Sequence, residues 1–437
     1  MVDQIEKRCL LLPPRTRLLH IGPMKTGTTS LQLAARARRE VLLANGVRYP
    51  GTEVNQRRQL GALIGWSVNT WARAKPLEPD RLDIDAKGVP PRGDWDRVKA
   101  EIEADPDRRI FLTHEFVSQV DDSTARKVVE AVGEPIHVCI TLRSPGEIVP
   151  SLWAQSVRDD AQTEPFVDWL ARFFGKDPVH PISARFQRAY DQGQLVNRWA
   201  RLVGPDNVTV IVVDKSDPRL LTGTFEAMLG LPDGVLEWRP SNASLAAIDA
   251  ELFRHVNAIL RDRGAGWSTF HSLVRYGAIK LGPERRQLSP GEPRVVLPSW
   301  AGEIARRDGT QFADAIRHSG VRIVGDVDTI GADFRTADWP TMSAVPIDVA
   351  AEAVAGGILA GQKARTDLSK EVADRAAEIN RLRADLDRVT AERDRVTADL
   401  AALRSSSTRE RARELAQELR RTVLRRLRKR QRASLHR

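Results

Sequence analysis

Two glycines, a lysine and four hydroxyl side chains fall within nine residues of this 437-residue chain, in the run from Gly22 through Lys25, Thr26, Gly27, Thr28 and Thr29 to Ser30. That inventory suits an anion. Backbone N–H groups at a turn and at a helix N-terminus lack intrahelical partners, and the helix dipole adds positive potential. Glycines let the backbone approach a phosphate closely, Lys25 adds a full charge, and the hydroxyls add donors. Gly22 and Gly27 have the spacing of a nucleotide-triphosphate loop, which reads G-x-x-x-x-G-K-[ST]. Here Thr28 follows the second glycine and the lysine lies inside the loop. Magnesium-dependent triphosphate binding is therefore a poor fit, and a nucleotide-dependent kinase stays open only as an alternative.

Two more segments carry chemistry. The apolar run 135–142 suits a strand buried on both faces and ends in Arg143, with Ser151 eight residues further on in a helical pattern. In open parallel sheets, ligand-binding residues gather at strand carboxyl ends. Between the two phosphate-type motifs, the strand-like residues 110–112 lead to His114 and Glu115, two groups able to take a proton. Strand alternation predicts that the two point to opposite faces, so that only one reaches a common site.

The run Pro23-x-Lys25-Thr26-Gly27-Thr28-Thr29-Ser30 resembles the 5′-phosphosulfate loop of sulfotransferases, which bind 3′-phosphoadenosine-5′-phosphosulfate (PAPS) without a metal. Arg143 and Ser151 match, in type and spacing, the Arg and Ser with which that family grips the 3′-phosphate. The resemblance is to bacterial, carbohydrate-type members, in which the intervening strand ends in a Ser-Ser-Glu-like run. It implies Glu115 as the catalytic base, with His114 as the alternative. It also implies an acceptor hydroxyl or amine on a glycan, a glycolipid such as a lipid-linked glycan, or a small molecule. Asn242 and Ser244 stand where the family has polar residues near the donor, and helix capping explains them equally well. Trp66, Trp71 and Trp95 are candidates for an acceptor cleft or for the core.

The elements that must position these residues read as an α/β domain over 1–345, a P-loop-like parallel sheet flanked by helices. A small, Gly-bearing stretch at 346–364 reads as a linker. From 365 to 403, Leu368, Val372, Ile379, Leu382, Leu386, Val389, Val396, Leu400 and Leu403 hold a and d positions, interrupted by Arg365, Arg375 and Arg393. That pattern predicts a coiled coil and a homo-oligomer, with a single packed helix as the other reading. The tail 404–437 holds 13 Lys and Arg against 3 Glu, a net of +10 that equals the whole-chain value. Its stripe of Leu415, Leu419, Val423 and Leu427 amid arginines suits a helix on an anionic membrane surface, with nucleic acid or plain solvation as alternatives. A scaffold lacking catalysis, built on the coil and tail, is the remaining alternative function. Cys9 and Cys139 define no disulfide framework, the histidines show no metal-ligand spacing, and no apolar run spans a bilayer. The expected location is the cytoplasm, peripheral at the inner membrane face if the tail binds lipid.

Overall fold

The computed structural model describes residues 9–66, 89–175, 181–214, 216–237, 245–282, 292–340, 342, 344–405 and 409–434. Six parallel strands form one sheet in the order β2-β3-β1-β4-β5-β6. They are β1 (Arg17–Ile21), β2 (Val47–Arg48), β3 (Arg109–Thr113), β4 (Ile136–Leu142), β5 (Val208–Val212) and β6 (Arg322–Val324). All seven residues of β4 are buried, His137 and Thr141 among them, as expected of a central, largely apolar parallel strand. Alternation then sorts side chains into two cores. Leu19, Ile21, Val138 and Ile140 pack on one face of the sheet, and Leu18, Phe111, Cys139 and Ile211 on the other.

The helices used below are α1 (Thr28–Ala37), α2 (Arg57–Ile64), α3 (Gly93–Ala104), α4 (Asp122–Val132), α5 (Pro145–Asp159), α6 (Gln192–Val203), α7 (Ala247–Asp262) and α8 (Ser299–Arg317). Local chemistry starts them. Asp121 Oδ1 accepts the Thr124 N–H at 2.8 Å to cap α4, Asp191 Oδ1 accepts the Gln194 N–H at 2.9 Å to cap α6, and Pro145 opens α5. The strand order puts β1 between β3 and β4, so the chain leaves β1 and β4 toward opposite edges. The crevice at their carboxyl ends is the topological switch point, where such sheets bind ligands.

Residues 1–361 form one compact unit and 362–437 a second. In the stretch 346–364, expected as a linker, residues from Ile347 onward are helical, since α9 runs unbroken over Ile347–Ser405. Its small residues serve close packing. A Cβ on Gly356 would meet the Gly277 carbonyl at 2.9 Å and Ala278 at 3.1 Å, on the π-helix Phe270–Ile279. In the second unit the seam residues Leu368, Val372, Ile379, Leu382 and Leu386 are 50–64% exposed in the single chain. The tail forms α10 (Arg409–Ser434), and Arg426 Nη1 pairs with Glu392 Oε1 of α9 at 2.9 Å. Among the described residues, no helix is long and apolar enough to cross a membrane.

Candidate functional site

The turn between β1 and α1 holds its shape through residues whose types are dictated by close contacts. A Cβ at Gly22 would overlap the Thr141 side chain and come within 2.5 Å of its carbonyl. Lys25 adopts φ 73°, a left-handed conformation uncommon for a residue with a side chain, and Gly27 follows at φ 85°. No side chain caps α1, which leaves the first backbone donors of the helix turned to the crevice. Thr28 Oγ1 is buried and has no hydrogen-bond partner among the described residues. Such an orphan hydroxyl beside an uncapped, positively polarised helix end fits a phosphate or sulfate oxygen.

A residue that sequence reasoning missed lies beneath this turn. His20 is fully buried on β1, with Nδ1 2.8 Å from Thr113 Oγ1 on β3 and Nε2 3.1 Å from Thr141 Oγ1 on β4. Thr141 Oγ1 in turn meets Thr26 Oγ1 at 2.8 Å, and Thr26 Oγ1 donates to the Pro23 carbonyl at 2.8 Å. Burial, opposed only in part by Glu115, pushes the imidazole down to about 3, so it stays neutral and serves as a hydrogen-bonding bridge. A lone histidine inside an apolar strand was the available signal.

His114 and Glu115 come together, against the expectation from alternation. β3 ends at Thr113 and the chain tightens at once into a 3-10 helix, Glu115–Gln119, so the strand periodicity no longer applies. His114 Nδ1 lies 3.1 Å from Glu115 Oε2, and Gln32 Nε2 of α1 donates to the same oxygen at 3.2 Å. Asn55 Nδ2 fixes Gln32 by donating to its Oε1 at 2.9 Å. Burial pushes the Glu115 carboxyl up, but His114, its own backbone N–H and Gln32 outweigh that and hold it at about 2. The carboxylate keeps 21% exposure, whereas the His114 side chain has 1%.

At the end of β4 the Arg143 guanidinium spans two groups. Its Nη1 donates to the Lys25 carbonyl at 3.1 Å and its Nε to Glu147 Oε2 at 2.5 Å. Its Nη2 is buried with no partner among the described residues. Gln192 Nε2 of α6 donates to the Arg143 carbonyl at 2.7 Å, which anchors the strand end. Two turns along α5, Ser151 lines a cleft of about 330 Å³ together with Glu147, Leu245, Arg294, Phe334 and Arg335. The structure therefore places Arg143 against the loop and Ser151 in the neighbouring cleft. The two cleft arginines carry no motif and come from segments that follow α7 and α8, so nothing local marks them. Trp95 is fully buried in α3 and belongs to the core, Trp66 is half-buried, and Trp71, Asn242 and Ser244 lie outside the described residues.

No protein-family model and no curated protein sequence matches the chain. Solved structures similar to it include two sulfotransferases. A sulfotransferase from Alicyclobacillus acidocaldarius is 18% identical over 57% of this chain and 95% of that chain, with a TM-score of 0.38. The mouse sulfotransferase SULT7A1, complexed with PAP, is 12% identical over 61% of this chain and 74% of that one, with a TM-score of 0.27.

Proposed function

We propose that this chain is a sulfotransferase that moves a sulfuryl group from PAPS to a hydroxyl or amine. The observation that carries this reading is the turn after β1. A left-handed lysine, an uncapped helix and a buried unpartnered hydroxyl converge there at the switch point of a parallel sheet. PAPS supplies the activated group: the acceptor atom bonds to sulfur while the bond to the bridging 5′-phosphate oxygen breaks, its electron pair leaving on PAP.

Lys25 and the N–H groups of 26–30 hold the phosphosulfate and stabilise charge where it develops. Arg143 and Ser151 hold the 3′-phosphate, with Arg294 and Arg335 adding positive charge to the same cleft. Glu115 takes the acceptor's proton. Its low basicity is no obstacle, since a hydroxyl becomes strongly acidic as its oxygen bonds to sulfur, and a bound polyanion raises a nearby carboxyl's pKa. His114, sealed from the crevice, orients Glu115 through Nδ1. The acceptor is a glycan, a glycolipid or a small molecule.

Calorimetry with PAP in excess EDTA tests the donor assignment. Binding with a Kd of about 1–10 µM, or roughly −8 to −7 kcal/mol, is the expected result. A folded sample that gives no heat with PAP, or that binds ATP only while magnesium is present, removes the reading in favour of the kinase alternative.

The exposed seam of α9 supports a second proposal, that the chain self-associates there through its heptads. Sedimentation equilibrium of the full chain should give a dimer at micromolar concentration, and the double substitution Ile379→Asp with Leu386→Asp should give a monomer. A monomeric wild-type chain excludes the pairing.

A further inference from the structure

None of the residues assigned to the donor or the base lies in the stretch that carries the chain's charge excess. Within α10 that excess is confined to the second half. Glu410, Glu414 and Glu418 all precede Leu419 and offset Arg409, Arg411 and Arg413. From 419 to 434 there are eight Lys and Arg and no acidic residue. Arg420, Arg421, Arg425, Arg426 and Arg428 are all exposed. Apolar side chains stand among them: Val423, Leu424 and Leu427 are 41–55% exposed. Spacing places Leu419, Val423 and Leu427 in one i, i+4 row on the helix surface and Arg420, Leu424 and Arg428 in the row beside it. Among the described side chains of α10, the half-buried ones are Ala412, Ala416 and Leu419, so coverage stops where the run of arginines begins. One contact of this half with α9 is the ion pair of Arg426 with Glu392, whose side chains are 71% and 53% exposed. Such a pair contributes little in water, and an anionic headgroup satisfies Arg426 equally well.

We propose that the second half of α10 docks on an anionic lipid surface, with Val423, Leu424 and Leu427 entering the boundary between headgroups and acyl chains and the arginines around them reaching lipid phosphates and carboxylates. A helix dense in Lys and Arg, with exposed aliphatic side chains in adjacent rows, lies in the plane of such an interface. Each basic residue near the surface adds about fivefold in affinity. Arginine stems cover apolar area while their heads stay in the headgroup layer. A nucleic-acid backbone would engage the same arginines but leave the three aliphatic side chains in water. The sequence has no Phe, Tyr or Trp after Trp339, so α10 brings no ring to stack on a base. Charge and aliphatic exposure together therefore favour lipid. The docking stands whatever group the loop at Lys25 holds.

Co-sedimentation of the full chain with vesicles tests the docking. At about 0.15 M salt the chain should bind phosphatidylcholine vesicles containing about 30% phosphatidylserine at least about 30-fold more tightly than pure phosphatidylcholine, and about 0.5 M salt should remove roughly tenfold of that affinity. The triple substitution Val423→Gln, Leu424→Gln and Leu427→Gln keeps every charge and uses a good helix former. It should weaken binding to the anionic vesicles by about 30–100-fold, while affinity for an RNA duplex of about 20 base pairs stays within about threefold of wild type. Arg420→Gln with Arg421→Gln and Arg425→Gln should weaken vesicle binding by roughly 100-fold. Circular dichroism of each variant checks that the helix is kept, and the wild-type comparison of the two vesicle types needs no variant. Equal wild-type binding to both vesicle types, or a helical triple variant that binds anionic vesicles like wild type, would overturn the proposal. A wild-type chain that binds the RNA duplex at least about tenfold more tightly than the anionic vesicles would overturn it in favour of nucleic acid. A triple variant that loses association between chains in sedimentation equilibrium would overturn it in favour of a second copy as the occupant of the aliphatic rows.

Discussion

Replacing Lys25 by alanine should lower sulfuryl transfer by about 10³-fold while leaving the chain folded. Removing one preorganised group that faces developing charge costs about 3–4 kcal/mol in the barrier. Stability should change by less than about 0.5 kcal/mol, since alanine inherits the same left-handed backbone at φ 73° and the same strain. Lys25→Gly sharpens the contrast. Glycine relaxes that backbone, so this variant should be as inactive as Lys25→Ala yet slightly more stable. Single-turnover transfer from labelled PAPS with urea melts on the same samples reads both quantities. Wild-type turnover in either variant would show that the lysine has no role at the reacting group.

Glu115→Gln carries the second large effect, a fall of about 10²–10⁴ in transfer, with PAP affinity held within about threefold. Because the carboxyl sits at about 2, below its ordinary value, it contributes stability that is present above roughly pH 4.5 and lost as pH falls toward 2. At neutral pH the amide should therefore unfold about 2–3 kcal/mol more easily, and a melt must accompany the kinetics. His114→Phe distinguishes the two neighbours. It should cost less than Glu115→Gln, since His114 acts only by orienting the carboxylate. If it costs more, the imidazole is the base and the roles are reversed.

The sheet, the loop and both strand-end candidates were legible because each is written locally. β4 declares itself in a seven-residue run in which five residues are apolar, and the loop in glycines, hydroxyls and a lysine at fixed offsets. What was illegible depends on distant contacts. Nothing near His20 announces that Thr113 and Thr141, about a hundred residues away, will meet its two nitrogens. Arg294 and Arg335 reach the Ser151 cleft from far along the chain. The pairing of His114 with Glu115 was hidden by one backbone event, the change from extended chain at His114 to the 3-10 helix that starts at Glu115. The helical state of 347–364 was hidden for the opposite reason: Gly356 and Gly357 weaken an isolated helix, yet here the missing side chain of Gly356 lets α9 lie close against the π-helix.

The lacing of Thr26, Thr141, His20 and Thr113 makes the ends of three neighbouring strands and the loop above them behave as a single stiff tile. An incoming polyanion meets donors already aimed before it arrives. Little ordering entropy is then left to lose on capture, and the shape of the cradle is settled when the chain folds.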